Sequence, residues 1–385
     1  MDKCDNLKNN HDSKCVNIYH LGVKELRILF RDPVLLIFII WSFSGGVYSV
    51  ATTASMELHN APIGVIDEDR SQLSTRIISA FYGPYFQSPE PITQEDVDPG
   101  LDGGKYTFVL DIPPHFERDV LADRQPALQV NVDATRMTQA FIGSSYIKNI
   151  VTSELSEFVQ GYRGGTTLPI DLAMRTKFNP NRTSAWFGSV MEVINNITML
   201  SIILTGAAVI REREHGTIEH LLVMPLTSFE IMAGKIWAMG LVVLMAAALS
   251  LYFIVQGLLH VPIAGSVALF LFGAMLHLFS TTSMGIFMGT VSRSMPQFGL
   301  LMILIILPLQ MLSGGITPRD SMPGIVQVIM QAAPTTHFVS FAQAILYRGA
   351  GFDVVWPNFL AIIFIGAVFF MAALILFRRA ITIAV

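Results

Sequence analysis

Residues 236–292 run for 57 positions without one Asp, Glu, Lys or Arg. As a single helix the stretch would be about 85 Å long at 1.5 Å per residue, whereas a bilayer core is about 30 Å thick. It has to fold back, and "HVPIAGS" (260–266), with Pro262 and Gly265, supplies the turn. Four more charge-free windows, 33–56, 193–210, 294–318 and 354–377, are each long enough for one span. Six membrane helices are therefore expected, near 34–54, 187–210, 229–256, 266–291, 297–315 and 355–377. Only 14% of the residues are charged, against about a quarter in soluble domains.

The basic residues give an orientation. Lys24, Arg27 and Arg31 precede span one, Arg211 and Arg213 follow span two, Arg293 separates spans four and five, and Arg378 and Arg379 follow span six. With six spans these all fall on one side, which the positive-inside rule makes the cytoplasm. Both termini are then expected in the cytoplasm. Span one reads as an uncleaved anchor, because its apolar stretch is long and more than thirty residues precede it. The net charge of −4 offers no footing for nucleic acid, and Cys4 and Cys15 read as loose tail thiols.

Residues 55–180 differ in character. From Glu57 to Lys177 there are 17 acidic and 10 basic residues, and the hydrophobic pattern alternates between strand and helix periods. Strands are expected in "APIGVIDED" (61–69), "KYTFVLDIP" (105–113) and "ALQVNVDAT" (127–135). Helices are expected in "SQLSTRIISAFY", in "HFERDVLADR" and from Thr138 to about Tyr162. The fold class expected is an α-helical polytopic membrane protein with an α/β extracytoplasmic domain inserted between helices 1 and 2. Asp67, Glu68 and Asp69 form an acidic turn without the glycine or the second carboxylate cluster of a calcium loop. "NRT" (181–183) has the glycosylation pattern but lies almost at the membrane.

Enzymatic motifs are missing from the sequence. It contains no G-x-x-x-x-G-K-[ST] loop to hold a nucleotide. "LSGGI" (312–316) looks like the signature of an ATP-binding-cassette ATPase, but it ends an apolar helix and reads as a helix end. His215 and His220, five apart, diverge on a helix and lack the i, i+4 spacing of a zinc pair. His277 and His337 read as buried, hydrogen-bonded histidines. No catalytic residue, metal site or cofactor is expected in this chain. Glu192, Asn195 and Asn196 share one helical face near the outer end of span two, and Gln310 follows Pro308 in span five. Polar groups in a span face a bundle interior or a cavity, so these four are candidates for a pathway or subunit interface. The other reading starts span two a turn later, with Glu192 among the headgroups.

"REREHGTIEHLLVMP" (211–225) concentrates five charges, Arg211, Glu212, Arg213, Glu214 and Glu219, in nine residues. Taken as a short helix over 214–224, it has an apolar stripe of Ile218, Leu221 and Leu222 and a polar flank of Glu212, His215 and Glu219. Glu212, Arg213 and Glu214 would lie near its start, where carboxylates suit the helix dipole, and Pro225 would close it. Such an element either lies in the membrane interface or docks on a partner. Topology accounts for the arginines but not for the glutamates.

With these residues the chain resembles the ABC-2 type permeases, membrane subunits of type V ATP-binding-cassette exporters, in their YhhJ-like branch. The resemblance rests on "IREREHGTIEHLLVMPLTSFEIMAGK" (210–235), "FNPNRTSAWF" (178–187), "LSGGITPRDSMPGIVQVIMQAAPTTHFV" (312–339), "DATRMTQAF" (133–141) and "KYTF" (105–108). It implies that 211–224 is a coupling helix for a separate ABC ATPase subunit, with Arg211, Glu212, Arg213, Glu214, His215, Gly216, Thr217, Glu219, Leu221, Leu222 and Pro225 at the contact. It implies that 1–33 is a cytoplasmic tail and connecting helix, amphipathic over 19–33 and carrying Lys24, Glu25, Arg27 and Arg31. It places a hairpin dipping into the outer leaflet within 320–334. Spans 2–6 then occupy 187–385. A second permease copy or paralogue would complete the pathway, ATP-Mg would be bound by the partner ATPase, and a periplasmic membrane-fusion adaptor would join. The acidic outer domain and the Met- and Phe-rich spans suit a hydrophobic or cationic cargo. An ion-gradient transporter and a sensor or anchor built on the outer domain are the alternatives. The first calls for mid-span carboxylates and repeated halves, and the second needs fewer spans.

Overall fold

A computed structural model describes residues 2–53, 58, 60–122, 124, 126–133, 137–160, 184–214, 226–317, 319 and 322–384. Among the described residues six helices are long and apolar enough to cross a membrane. The chain divides into two compact units, one made of residues 1–52 with 185–385, the other of 53–184.

Helix α1 (Asp2–Phe30) is longer than the 19–33 segment expected to be amphipathic. It turns at Arg31 and Asp32 into α2 (Pro33–Thr52). Asp32 accepts the Leu35 N–H at 3.2 Å and Pro33 takes the first helical position, two features that favour a helix start. Within α2, Ser42–Gly46 forms a π turn, so span one is not a uniform helix.

The 53–184 unit holds a four-stranded sheet in the order β2-β1-β3-β4. Its elements run β1 (Ile63–Asp67), α3 (Gln72–Ser79), β2 (Glu90–Pro91), α4 (Val97–Asp102), β3 (Phe108–Ile112), α5 (Phe116–Leu121), β4 (Gln129–Val132) and α6 (Met137–Gln160). β1 pairs in parallel with β2 and β3, and β4 is antiparallel to β3. Leu73, Ile77, Phe81, Phe86, Phe108, Leu110 and Ile147 pack into one apolar core. β2 is two residues long and ends in proline, which is why no alternating pattern marks it. The acidic turn is a capping device. Asp67 accepts from Arg70 N–H at 2.8 Å and Ser74 Oγ at 2.9 Å, and Asp69 accepts the Glu117 N–H at 3.0 Å. Arg76 ties α3 to α6 through Glu154 at 2.7 Å and Glu157.

The rest of the membrane unit follows as α7 (Ser184–Glu214), α8 (Ser228–Leu258), α9 (Val267–Val291), α10 (Met295–Leu312), α11 (Gly324–Gln331), α12 (Pro334–Leu346) and α13 (Phe352–Ala384). α7 is the most enclosed span and α10 the least. Thr227 and Glu230 close a capping box at the start of α8, with Thr227 N–H donating to Glu230 at 2.7 Å. The 260–266 turn has the close approach that demands glycine: a Cβ on Gly265 would strike the Ile345 carbonyl. α10 stops at Leu312, before the 315 expected, and Gly314 takes a left-handed φ of 97° just beyond it.

α7 and α9 meet backbone to backbone. A Cβ added to Gly285 would sit 2.7 Å from the Ile202 carbonyl oxygen, and one on Gly289 would sit 2.8 Å from that of Gly206. Gly285 and Gly289 form a G-x-x-x-G pair, the small-residue spacing that lets membrane helices approach closely. One turn and more N-terminally, the same seam is polar. Thr198 lies 2.9 Å from His277 Nε2, Ser201 donates to Thr281 at 2.7 Å, and Ser280, Thr282 and Ser283 are fully buried. Ser283 returns its hydroxyl to the Phe279 carbonyl at 2.7 Å, since groups in an apolar interior need a partner inside the protein. His277 also stacks on Phe338 with centroids 4.0 Å apart. His337 bonds the Gln331 carbonyl at 2.9 Å. The opposite outer faces of α10 and α13 expose Leu300, Leu304, Leu307, Leu360, Phe364 and Val368, which suits helices that face lipid.

Candidate functional site, a charged clip at one end of the bundle

Residues 211–214 do not begin a new helix. They are the last turn of α7, which continues four residues beyond the 210 expected for span two. At the C-terminus of α7 arginine is favoured and glutamate disfavoured, and the start of the helix expected over 214–224 falls, beyond Glu214, outside the described residues. The glutamates are kept there by partners in other helices.

Glu212 is 9% exposed and Lys235, in the second turn of α8, is 2% exposed. The Lys235 ammonium lies 2.9 Å from one Glu212 oxygen and 2.8 Å from Glu25 of α1. Lys24 approaches the other Glu212 oxygen at 3.3 Å. Among the described residues two cations and two carboxylates thus form a neutral set, which suits burial, because an unpaired ion there would carry a desolvation cost of several kcal/mol. Arg211 reaches Asp32 at 3.1 Å and so holds the α1–α2 turn.

The next two residues clamp a different turn. Arg213 donates to the carbonyls of Ser292 at 2.6 Å and Thr290 at 3.1 Å, at the C-terminal end of α9. Glu214 accepts the Met295 N–H at 3.1 Å, at the start of α10. Cation on a helix C-terminus and carboxylate on an N-terminus are both favourable to the helix dipoles. The four residues Arg211 to Glu214 consequently fasten α1, α2, α8, α9 and α10 to the end of α7.

α1 is seated on α8 by further contacts. Trp237 donates its indole N–H to the Ile18 carbonyl at 3.0 Å, stacks on Tyr19 at 6.1 Å, and lies against Gly22, where a Cβ would strike the ring. Asn17 donates to Glu230 at 3.1 Å. Lys24 and Glu25 belong to the clip, whereas Arg27 and Arg31 are exposed.

The other residues named from sequence fall as follows. His215, Gly216, Thr217, Glu219, Leu221, Leu222 and Pro225 lie outside the described residues, as does the short helix expected over 214–224 beyond Glu214. Asn196 is buried and donates to the Ser42 carbonyl at 2.7 Å, where the π turn of α2 begins. It thereby joins α7 to α2, a helix-to-helix tie. Glu192, Asn195 and Gln310 are half-buried on α7 and α10. Sequence reasoning missed Lys235, Asp32, Glu230 and Trp237. Lys235 had a signal: it is the last charge before the 57-residue apolar window, and a charge at a span boundary calls for a partner.

Comparison with known proteins identifies the family of the chain. The sequence model of the family described as ABC-2 family transporter protein matches residues 28–375. The chain is 60% identical over 365 residues to the inner membrane transport permease YhhJ of Escherichia coli K12, covering 95% of this chain and 98% of that protein. It is 28% identical over 364 residues to the probable multidrug ABC transporter permease YbhR of the same strain, covering 92% and 96%. It is 22% identical to ABC transporter G family member 20 of Dictyostelium discoideum over 89% of this chain and 48% of that longer protein. Six apolar spans and a family match over nine-tenths of the length place the chain among membrane transport permeases: it belongs to the ABC-2 family of transporter proteins.

Proposed function

We propose that this chain is the membrane-spanning subunit of an ATP-driven exporter of the bacterial inner membrane, and that residues 211–225 receive the force of a separate ATPase. One observation carries the reading. Glu214 and Thr227 bracket the 215–225 segment, and both ends are anchored: α7 by Arg211–Glu214, α8 by Lys235 and Glu230. A segment held at both ends by clips that also grip α1, α2, α9 and α10 transmits any displacement to most of the bundle. A dense charge set joining helix ends is what a lever's fulcrum needs, and the sequence holds no nucleotide loop of its own.

In this reading the clip end is cytoplasmic, with both termini there, and the 53–184 unit is extracytoplasmic. α1 is the connecting helix, and α11 with the turn before it dips into the outer leaflet. ATP-Mg belongs to the partner ATPase. A second permease copy or paralogue completes the pathway, and a periplasmic membrane-fusion adaptor engages the 53–184 unit. Relatives named as probable multidrug permeases favour a small organic cargo.

Site-directed crosslinking tests the docking. With Cys4 and Cys15 replaced by Ser, single cysteines are placed at Thr217, Glu219, Leu221 and, as a control, at Tyr82 of the other unit. Membranes co-expressing the neighbouring ATPase are treated with a short bifunctional thiol reagent. Crosslinks to the ATPase from 217–221 and none from 82 are expected. Crosslinks from 82 alone, or none from any position in a complex that still co-purifies, would sink the docking assignment.

A further inference from the structure

In the 53–184 unit the sheet ends on one side at β4, whose single strand neighbour among the described residues is β3. The register pairs Val109 with Asn131 and Asp111 with Gln129, and the Asp133 N–H donates to the Thr107 carbonyl at 2.9 Å. In an antiparallel ladder the residues that bond to a neighbour alternate with those that turn away from it. Gln129, Asn131 and Asp133 therefore direct their backbone groups at β3, while the N–H and C=O of Val130 and Val132 point outward along the open edge. Neither valine has a backbone partner there among the described residues.

Proteins commonly blunt such an edge with lysine, proline or a bulge. Residues 127–133 contain no lysine and no proline, and the β4 register runs without a bulge. One face of the edge is apolar as well. Val130 and Val132 join Leu128, Leu110, Ile147 and Val151 around a hollow of about 360 Å³ between β4 and α6. An open edge beside an apolar hollow is a template for one more strand.

Symmetry and size select the strand. The two outward residues sit evenly about Asn131. A second β4, related by a two-fold axis through Asn131, sets Val130 opposite Val132 twice and makes four N–H···O=C bonds. The valines of both copies then share the apolar face. On the other face Asn131 meets its counterpart and Gln129 meets Asp133, so no like charges stand opposite each other, an arrangement that would be destabilising. Self-matching of this kind is what an isologous interface demands. β4 is only four residues long, too short an edge to supply the roughly 800 Å² per partner of a stable free complex. It suits a partner already held close, for which pairing is effectively intramolecular. A second copy anchored in the same membrane meets that condition.

We propose that β4 pairs antiparallel with β4 of a second copy of this chain, joining two four-stranded sheets into one of eight strands. The proposal rests on the two-copy reading given above, and its test separates the two.

Single cysteines are introduced as N131C, Q129C or D133C into the full chain with Cys4 and Cys15 replaced by Ser. Membranes are oxidised with copper phenanthroline in air and read on non-reducing gels. Asn131 and its counterpart form a non-hydrogen-bonded pair with Cα atoms about 4.5 Å apart, a separation a disulfide spans. N131C is expected to give crosslinked dimer. Q129C alone should give at least tenfold less, because its counterpart lies four positions along the strand, about 13 Å at 3.3 Å per residue. Q129C co-expressed with a differently tagged D133C chain should crosslink to it. V130P added to N131C is the second variant: its lost N–H makes no bond within the copy, and proline is tolerated on an open edge. V130P removes two of the four bonds between copies, so the N131C yield should fall at least tenfold while hydrogen-exchange protection of β1 and β3 holds. N131C crosslinking no better than Q129C, crosslinking only to a different protein, or keeping its full yield with V130P would overturn the pairing. Native mass spectrometry of the wild-type chain reads the copy number. A dimer without the N131C crosslink overturns the β4 pairing alone, and a monomer overturns the two-copy reading together with it.

Discussion

The Lys235 ammonium lies 2.9 Å from the Glu212 carboxylate and thereby locks the start of α8 to the end of α7. The two residues flank the 215–225 segment in sequence, so this one ion pair joins the helix ends on either side of that segment. Glu25 takes the second contact of Lys235 at 2.8 Å and brings α1 into the same lock. Replacing Lys235 by Met takes from two buried carboxylates the cation that both contact, and Lys24, itself partly exposed, still reaches Glu212. Breaking a buried ion pair from one side costs about 3–5 kcal/mol. A clear fall in the thermal midpoint of the detergent-solubilised K235M protein is expected. The double variant E25Q/K235M removes one charge of each sign and leaves the Lys24–Glu212 pair, so its midpoint should lie closer to wild type than that of K235M. A double variant at least as unstable as the single one would mean that the charges do not act as a set.

Two glycines on α7-facing positions of α9 make a sharper packing prediction. Gly289→Leu and Gly285→Leu force a side chain into the backbone of α7, where even a Cβ would lie 2.7–2.8 Å from a carbonyl oxygen. Overpacking of this kind costs about 1–3 kcal/mol. Gly240 of α8 is the internal control, because a Cβ there meets Leu278 at an ordinary 3.8 Å. Gly240→Ala should be neutral or stabilising by up to about 1 kcal/mol. The measurement is the thermal midpoint of each variant, and equal effects at 240 and 289 would refute the close crossing.

What was legible followed from the solvent each residue meets. All six spans came from runs without charge, because lipid excludes charge irrespective of tertiary detail. Their ends were less legible. α7 continues through Arg211–Glu214 because those charges find partners on α1, α2, α8, α9 and α10, and pairings so far apart in sequence leave no periodic trace. The same holds for Asn196 and the Ser42 carbonyl, which read as a polar face until the π turn of α2 supplied its acceptor. β2 escaped notice because two residues ending in Pro91 carry no pattern. The G-x-x-x-G of α9 was there to be read and points to a close helix crossing, although the spacing alone does not name α7 as the partner.

Acid should loosen the 53–184 unit through particular carboxylates. At Asp69 burial favours the neutral form, but hydrogen bonds from Ser71 and from the Glu117 and Phe116 N–H groups outweigh it and hold the carboxyl below its ordinary range. The Thr93 hydroxyl and N–H do the same for Asp96. A carboxyl whose folded value is depressed adds stability above its unfolded value, near pH 4, and loses it as pH falls through the folded value. Protection of β1 and β3 amides in hydrogen exchange, corrected for intrinsic rates, should therefore be flat from pH 7 to 5 and decline below about pH 4. Asp69→Asn should lower protection at pH 7 and flatten the decline. An unchanged slope in Asp69→Asn would remove Asp69 from the account.

Charge reversals at three positions separate framework from docking. Glu212→Lys places a third cation beside Lys24 and Lys235, and Glu214→Lys sets a cation against the start of α10 at Met295. Both should lower the thermal midpoint, Glu212→Lys more, because Glu212 is buried among the clip residues. Glu219 lies in the segment proposed to meet the ATPase, and a residue kept for a partner's contact changes stability by no more than about 0.5 kcal/mol, so Glu219→Lys should leave the midpoint nearly unchanged. Each variant is reconstituted with the partner ATPase, and permease-stimulated hydrolysis is measured beside the melting curve. Glu219→Lys is expected to lose most of the stimulation with its midpoint unchanged, whereas Glu212→Lys loses both. Glu219→Lys with full stimulation would place the contact elsewhere. Glu212→Lys with a wild-type midpoint would deny the clip its structural role.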